Sequence, residues 1–131
     1  QYPGRFKCCV LHNPVTDMVV DLATSDIPDW VKCESGTTDM KDRVKELEQL
    51  VAVSPLRYVG DVRDTATLTP IGGSDRRVPP IQGYQWYHAL PESAGPKQLL
   101  LYPADHHGIS RPESRADRTK HTIDFVTKHL S

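Results

Sequence analysis

Two short stretches of this 131-residue chain carry ionisable side chains where they could do chemistry. The first reads Ile71-Gly72-Gly73-Ser74-Asp75-Arg76-Arg77-Val78-Pro79, an acid between a flexible glycine pair and a basic pair. The second reads Leu101-Tyr102-Pro103-Ala104-Asp105-His106-His107-Gly108-Ile109, with a histidine and then a glycine after a turn. A carboxylate beside an imidazole fixes the ring's tautomer and steadies its positive form. The imidazole can then take a proton from a hydroxyl that is otherwise a weak nucleophile. Other chemistries fit these residues less well. Adjacent histidines such as His106 and His107 seldom ligate one ion together, and no further His or Cys recurs at ligand spacing, so no metal is expected. Gly72-Gly73-Ser74 matches neither common phosphate-binding glycine fingerprint. Cys8 and Cys9, on a strand, would point to opposite faces, which favours free thiols over a shared ligand set.

Strands and helices in alternation would position these groups. Phe6–Leu11 reads as a buried strand ended by His12-Asn13-Pro14, because the residue before proline is pushed toward extended geometry. The stretch from Asp17 to Trp30 mixes apolar and acidic residues, turns at Ile27-Pro28 and reads as mostly loop with a turn of helix. A helix is predicted over about Asp39–Ala52, capped by Asp39. Its apolar stripe would be Val44, Leu47, Leu50 and Val51, and its wet face would include Lys45, Glu46 and Glu48. Thr65–Ile71 takes the place of a middle strand, although Pro70 lacks a ladder donor and suggests an edge or bulge. A second helix should run over Ile81–Leu90, with Tyr84, Tyr87 and the tip of Trp86 inward. Gln98–Tyr102 looks like a central strand of a parallel sheet. A last helix spans about Glu113–Leu130, with Ile123, Val126 and Leu130 facing in. This alternation is an α/β layer arrangement, in which functional groups gather at the carboxyl ends of the strands. Both chemical segments fall at such ends. An acid after one strand and a histidine after the next, about thirty residues on, is the chain order of the α/β-hydrolase triad downstream of its nucleophile.

Composition bounds what else the chain could do. Hydrophobic residues make up 37% and charged residues 25%, which suits a globular domain. Sixteen basic against seventeen acidic residues leave a formal net charge of −1, so neither nucleic acid nor an anionic membrane surface is an expected partner. No apolar run approaches the ~18–20 residues that span a bilayer. Three cysteines are too few for a disulfide scaffold and fit a reducing compartment. The start at Gln1-Tyr2-Pro3, with neither initiator Met nor signal pattern, suggests a fragment.

Several blocks together resemble a known family. They are Gln1-Tyr2-Pro3, His12-Asn13-Pro14-Val15 and above all Ser25-Asp26-Ile27-Pro28-Asp29-Trp30. Then come Ser54-Pro55-Leu56-Arg57-Tyr58-Val59, Asp75-Arg76-Arg77-Val78-Pro79 and Leu99-Leu100-Leu101-Tyr102-Pro103, with His107 five residues past Tyr102. In order and over essentially the whole chain, they resemble the C-terminal part of the acylaminoacyl-peptidases, within the prolyl oligopeptidase group of serine hydrolases. The resemblance implies one partial domain over residues 1–131, the C-terminal half of an α/β-hydrolase fold. It implies a cytoplasmic serine exopeptidase that releases N-acylated, typically N-acetylated, amino acids from peptides, with no cofactor. By position, Asp75 would be the triad acid and His107 the base. Arg77 would belong to the loop holding Asp75, and His106 would be a bystander. The implied partners are N-acylated peptides and the rest of the catalytic domain; a homo-oligomer is left open.

The chain also departs from that pattern. It contains no Gly-x-Ser-x-Gly, so the nucleophile elbow would lie before Gln1, and the 131 residues alone are expected to be inactive as a peptidase. Where the family's strand before the acid is continuously apolar, this chain has Thr67, Thr69 and Pro70. Two readings follow. The chain is either the C-terminal piece of a working acylaminoacyl-peptidase or a non-catalytic remnant of the fold that serves as an interaction module.

Overall fold

The computed structural model describes residues 4–130, so Gln1-Tyr2-Pro3 and Ser131 lie outside it. Three parallel strands, β1 (Cys8–Val10), β2 (Ala66–Gly72) and β3 (Lys97–Tyr102), form a sheet in the order β1-β2-β3. Cys8 pairs with Ala66 in register, and Thr67 with Lys97. Helices α1 (Met18–Thr24), α2 (Pro28–Ser35) and α3 (Arg43–Val53) fill the connection from β1 to β2, followed by a short 3-10 helix over Pro55–Asp61. Helix α4 (Ile81–Ala89) joins β2 to β3, and α5 (Pro112–Leu130) closes the chain. This is the parallel strand–helix alternation of an α/β layer arrangement.

Alternation along β2 assigns its faces. Ala66 and Leu68 pack with Phe125 of α5, whereas Ile71 points the other way, toward α4. Gly83 of α4 is required there, because a Cβ would lie 2.5 Å from Ile71 Cγ2. A second apolar cluster, Met18, Val31 and Leu50, joins α1, α2 and α3. Gln82 ties it to the sheet layer: its Oε1 accepts from the backbone N–H groups of Thr16 and Asp17, and its Nε2 donates to the Asp17 carbonyl.

Several expectations are corrected. Asp17–Trp30 is helical for most of its length. Asp17 caps α1 by accepting from Val19 and Val20, and Pro28 enters α2 in its first turn, where a missing N–H is harmless. Helix α3 is capped by Asp42 rather than Asp39. Its inward stripe centres on Leu50, while Val44 and Val51 are exposed. Glu46, expected on the wet face, is buried, and Arg43 answers its charge at 2.6 Å. Likewise α5 buries Phe125 and leaves Ile123 and Leu130 exposed. In α4 the fully buried residues are Gln82 and Gly83, with Tyr84, Trp86 and Tyr87 only half-buried.

The sheet corrects two further expectations. Among the described residues β3 is an edge strand, and β2, with its Pro70, is the central one. The leucine run of β3 reflects apolar neighbours on its faces, as with Leu100 against the Phe125 cluster, not strands on both sides. Pro70 survives at the centre because of where its backbone points. The carbonyls of Leu68 and Pro70 accept from Leu11 and Asn13, so these residues direct their polar groups toward β1. The β1 ladder ends at the Val10–Leu68 pair, so residue 70 lies beyond the strand pairing on that side.

Candidate active site

β2 and β3 deliver the two chemical segments side by side. After β2 the chain turns through Gly73 and Ser74, whose N–H groups donate to Tyr102 and Asp105 carbonyls in the neighbouring segment. The two glycines are a requirement of that approach. A Cβ on Gly72 would lie 2.4 Å from the His106 carbonyl oxygen, and one on Gly73 2.7 Å from Pro103 Cα. The two turns therefore touch backbone to backbone.

Asp75 and His107, 32 positions apart, meet there. His107 Nδ1 lies 2.8 Å from Asp75 Oδ2. The Asp75 side chain is fully buried, and its other oxygen accepts from the N–H groups of Arg77 (2.8 Å) and Val78 (3.0 Å). Every face of the carboxylate that its own loop can answer is answered. Because a carboxylate only accepts, its bond to Nδ1 keeps a proton on that nitrogen and leaves Nε2 bare. The imidazole is half exposed, so Nε2 is accessible as a base.

Arg77 contributes in two ways. Its backbone supports Asp75, and its guanidinium Nε donates to Asp26 Oδ1 at 3.1 Å on the exposed rim. Ser25 donates to the Arg77 carbonyl and Asp26 N–H to the Arg76 carbonyl, so the Ser25–Trp30 block braces the acid loop from outside. His106 points away from the pair and its Nδ1 donates to the Ser74 carbonyl at 2.8 Å. Asp105 anchors the histidine segment to α5. It accepts from Ser114 Oγ (2.6 Å) and the Arg111 N–H (3.1 Å), and the Ser114 bond foremost holds its carboxyl below the usual range.

A cleft of about 380 Å³ opens beside His107. Val15, Ile27, Trp30 and Val78 supply apolar lining, with His12, Asn13 and Arg77 adding polar groups. Burial first, then the Arg118 guanidinium, keeps His12 below the ordinary imidazole range. Arg118 Nη1 sits 3.2 Å from His12 Nε2 and donates to it, which suits a neutral ring. Sequence reasoning did not single out this cleft, nor Asn13, whose carboxamide contacts the histidine segment; both are assembled from residues far apart in the chain. Among the described residues no group of three or more His, Cys, Asp or Glu side chains gathers as a metal site.

Comparison with known proteins places this geometry. The sequence pattern of the prolyl oligopeptidase family matches residues 1–131. The acylamino-acid-releasing enzyme of Mus musculus is 38% identical over 133 residues, covering 99% of this chain and 18% of that enzyme. The enzyme of the same name from Oryza sativa subsp. japonica, form 2, is 30% identical over 137 residues, again 18% of its length. Among solved structures, the Pyrococcus horikoshii acylaminoacyl peptidase superposes with a TM-score of 0.81 at 25% identity, covering 95% of this chain and 20% of that one. An acylaminoacyl peptidase in complex with Z-Gly-Gly-Phe-chloromethyl ketone gives 0.82 at 25% identity, covering 97% and 20%. The chain thus spans about a fifth of the length of the relatives it matches.

Proposed function

The chain belongs to the prolyl oligopeptidase family, and from that premise we propose that it supplies the acid and base of a serine peptidase acting on N-acylated peptides. A single observation carries this reading: the buried Asp75 carboxylate meets His107 Nδ1 at 2.8 Å, leaving Nε2 free beside an open cleft. In the proposed reaction a serine hydroxyl from outside these residues gives its proton to Nε2 as its oxygen attacks the scissile carbonyl. Asp75 offsets the charge of the resulting imidazolium, which then protonates the leaving amine. The hydroxyl must come from elsewhere because no Gly-x-Ser-x-Gly occurs in the 131 residues. The apolar side chains of Val15, Ile27, Trp30 and Val78 suit an uncharged acylated residue, and Arg77 offers donors to peptide carbonyls at the same rim.

A chimera tests the proposal. This chain replaces the segment it aligns with in the Mus musculus enzyme, and hydrolysis of an N-acetyl amino-acid anilide is followed. His107→Ala should lower kcat by about 10⁴-fold or more, the scale seen when the base of such a triad is removed. Turnover by His107→Ala equal to that of the parent chimera would remove His107 from the chemistry.

A further inference from the structure

We propose that Asn13 is the positioning residue that holds His107 against Asp75; this rests on the acid–base pair proposed above. The two members of the pair are held very differently. Asp75 is fixed within its own loop by two N–H groups. His107 has a half-exposed ring, and its carbonyl accepts from Asn13 Nδ2 at 2.5 Å. The same carboxamide accepts from the Gly72 N–H at 2.8 Å, and the Asn13 backbone N–H donates to the Pro70 carbonyl at 3.0 Å. One nearly buried residue therefore clamps the ends of β1 and β2 to the histidine segment.

The chemistry of the clamp suits an amide. One arm donates to a carbonyl while the other accepts from an N–H, as the two ends of a carboxamide do. Its reach depends on Gly72, whose missing side chain lets the His106 carbonyl come close to the end of β2. Its direction depends on the backbone: Asn13 has φ of 41°, in the left-handed region that asparagine tolerates better than most residues. A longer glutamine at this position would not place the carboxamide between the same two groups.

The test uses the full chain and the low-field proton resonance of His107 Nδ1–H, identified by its disappearance in His107→Ala and in Asp75→Asn. Two variants separate positioning from folding. Asn13→Gly keeps the left-handed backbone and removes both arms. Asn13→Asp keeps the acceptor for Gly72 but turns an oxygen toward the His107 carbonyl. Both should keep the parent's far-UV circular dichroism while the Nδ1 proton exchanges about tenfold faster or is lost, the change expected for one hydrogen bond's worth of order. In the chimera the same variants should lower kcat with KM nearly unchanged. Unchanged exchange in both folded variants would overturn the role of Asn13. Unfolding of both would overturn it too, since Asn13 would then serve the whole fold. A parent chain with no resonance sensitive to Asp75→Asn would instead overturn the acid–base pair itself.

Discussion

Asp75 and Asp21 are both almost inaccessible to solvent, yet the protein treats their carboxylates in opposite ways. At the end of β2, Asp75 receives two backbone N–H groups on one oxygen and an imidazole on the other. On α1, Asp21 is fully buried and neither oxygen has a hydrogen-bond partner among the described residues. Burial foremost, then the negative charge of Asp75, pushes its carboxyl up to about 6, with His107 opposing the rise. The contrast shows that burial alone does not set what a carboxylate can do; the arrangement of donors around it does. A carboxylate with its charge answered is ready to orient an imidazole, whereas an unanswered one is under pressure to take up a proton.

The sharpest way to break the comparison is to remove the answered carboxylate. Asp75→Ala should destabilise the chain by about 2–3 kcal/mol, because it strands the Val78 N–H in the interior and loosens that of Arg77. Asp75→Asn keeps an oxygen for those donors and should cost less, while its amide cannot hold the proton on Nδ1. Urea unfolding of both variants at pH 7 measures the difference. Equal midpoints for Asp75→Ala and the parent would mean that the loop does not depend on this side chain.

Removing the unanswered carboxylate should act in the opposite direction. Asp21→Asn is expected to stabilise the chain by about 1–3 kcal/mol at pH 7. The sign follows from the raised folded value. Between about pH 4 and pH 6 the folded state binds the proton more tightly than the unfolded one, so Asp21's contribution is whole below about 4 and is lost as pH rises through about 6. The gain from Asp21→Asn should therefore vanish near pH 4 and grow to its full size above pH 6. A gain that stays the same from pH 4 to pH 7 would show that packing, not ionisation, separates the two side chains.

The same contrast explains what could be read from the residues alone. Asp75 and His107 stand out because each follows a strand and a turn, and chain order suffices to pair them. Arg77 was placed in the loop that holds Asp75, and its backbone N–H does bond that carboxylate. The parallel α/β alternation was legible for the same reason, each element leaving a local trace. Helices α1 and α2 were not, since Asp21 interrupts the apolar pattern of a seven-residue helix and Ile27 gives α2 no side-chain cap. Pro70 misled because its tolerance depends on where another strand stops. Asn13 was seen as part of a strand end before proline and of a block resembling the family, with no role of its own. Its partners, Gly72 and His107, lie 59 and 94 positions away and no local pattern points to them.

The smallest expected effect distinguishes the two adjacent histidines. His107 faces the acid, whereas His106 spends its Nδ1 proton on the Ser74 carbonyl at an exposed position. His106→Ala loses that one bond, and water can replace it, so stability should fall by no more than about 0.5–1 kcal/mol. In the chimera its turnover should stay within about threefold of the parent, against the roughly 10⁴-fold loss expected for His107→Ala. The two turns already touch through the Ser74 N–H and the Asp105 carbonyl, so the His106 bond is the second fastening at that point. A loss of turnover with His106→Ala that rivals His107→Ala would mean that the proton leaves through the neighbouring ring. The answered carboxylate would then be steadying a histidine that does no chemistry.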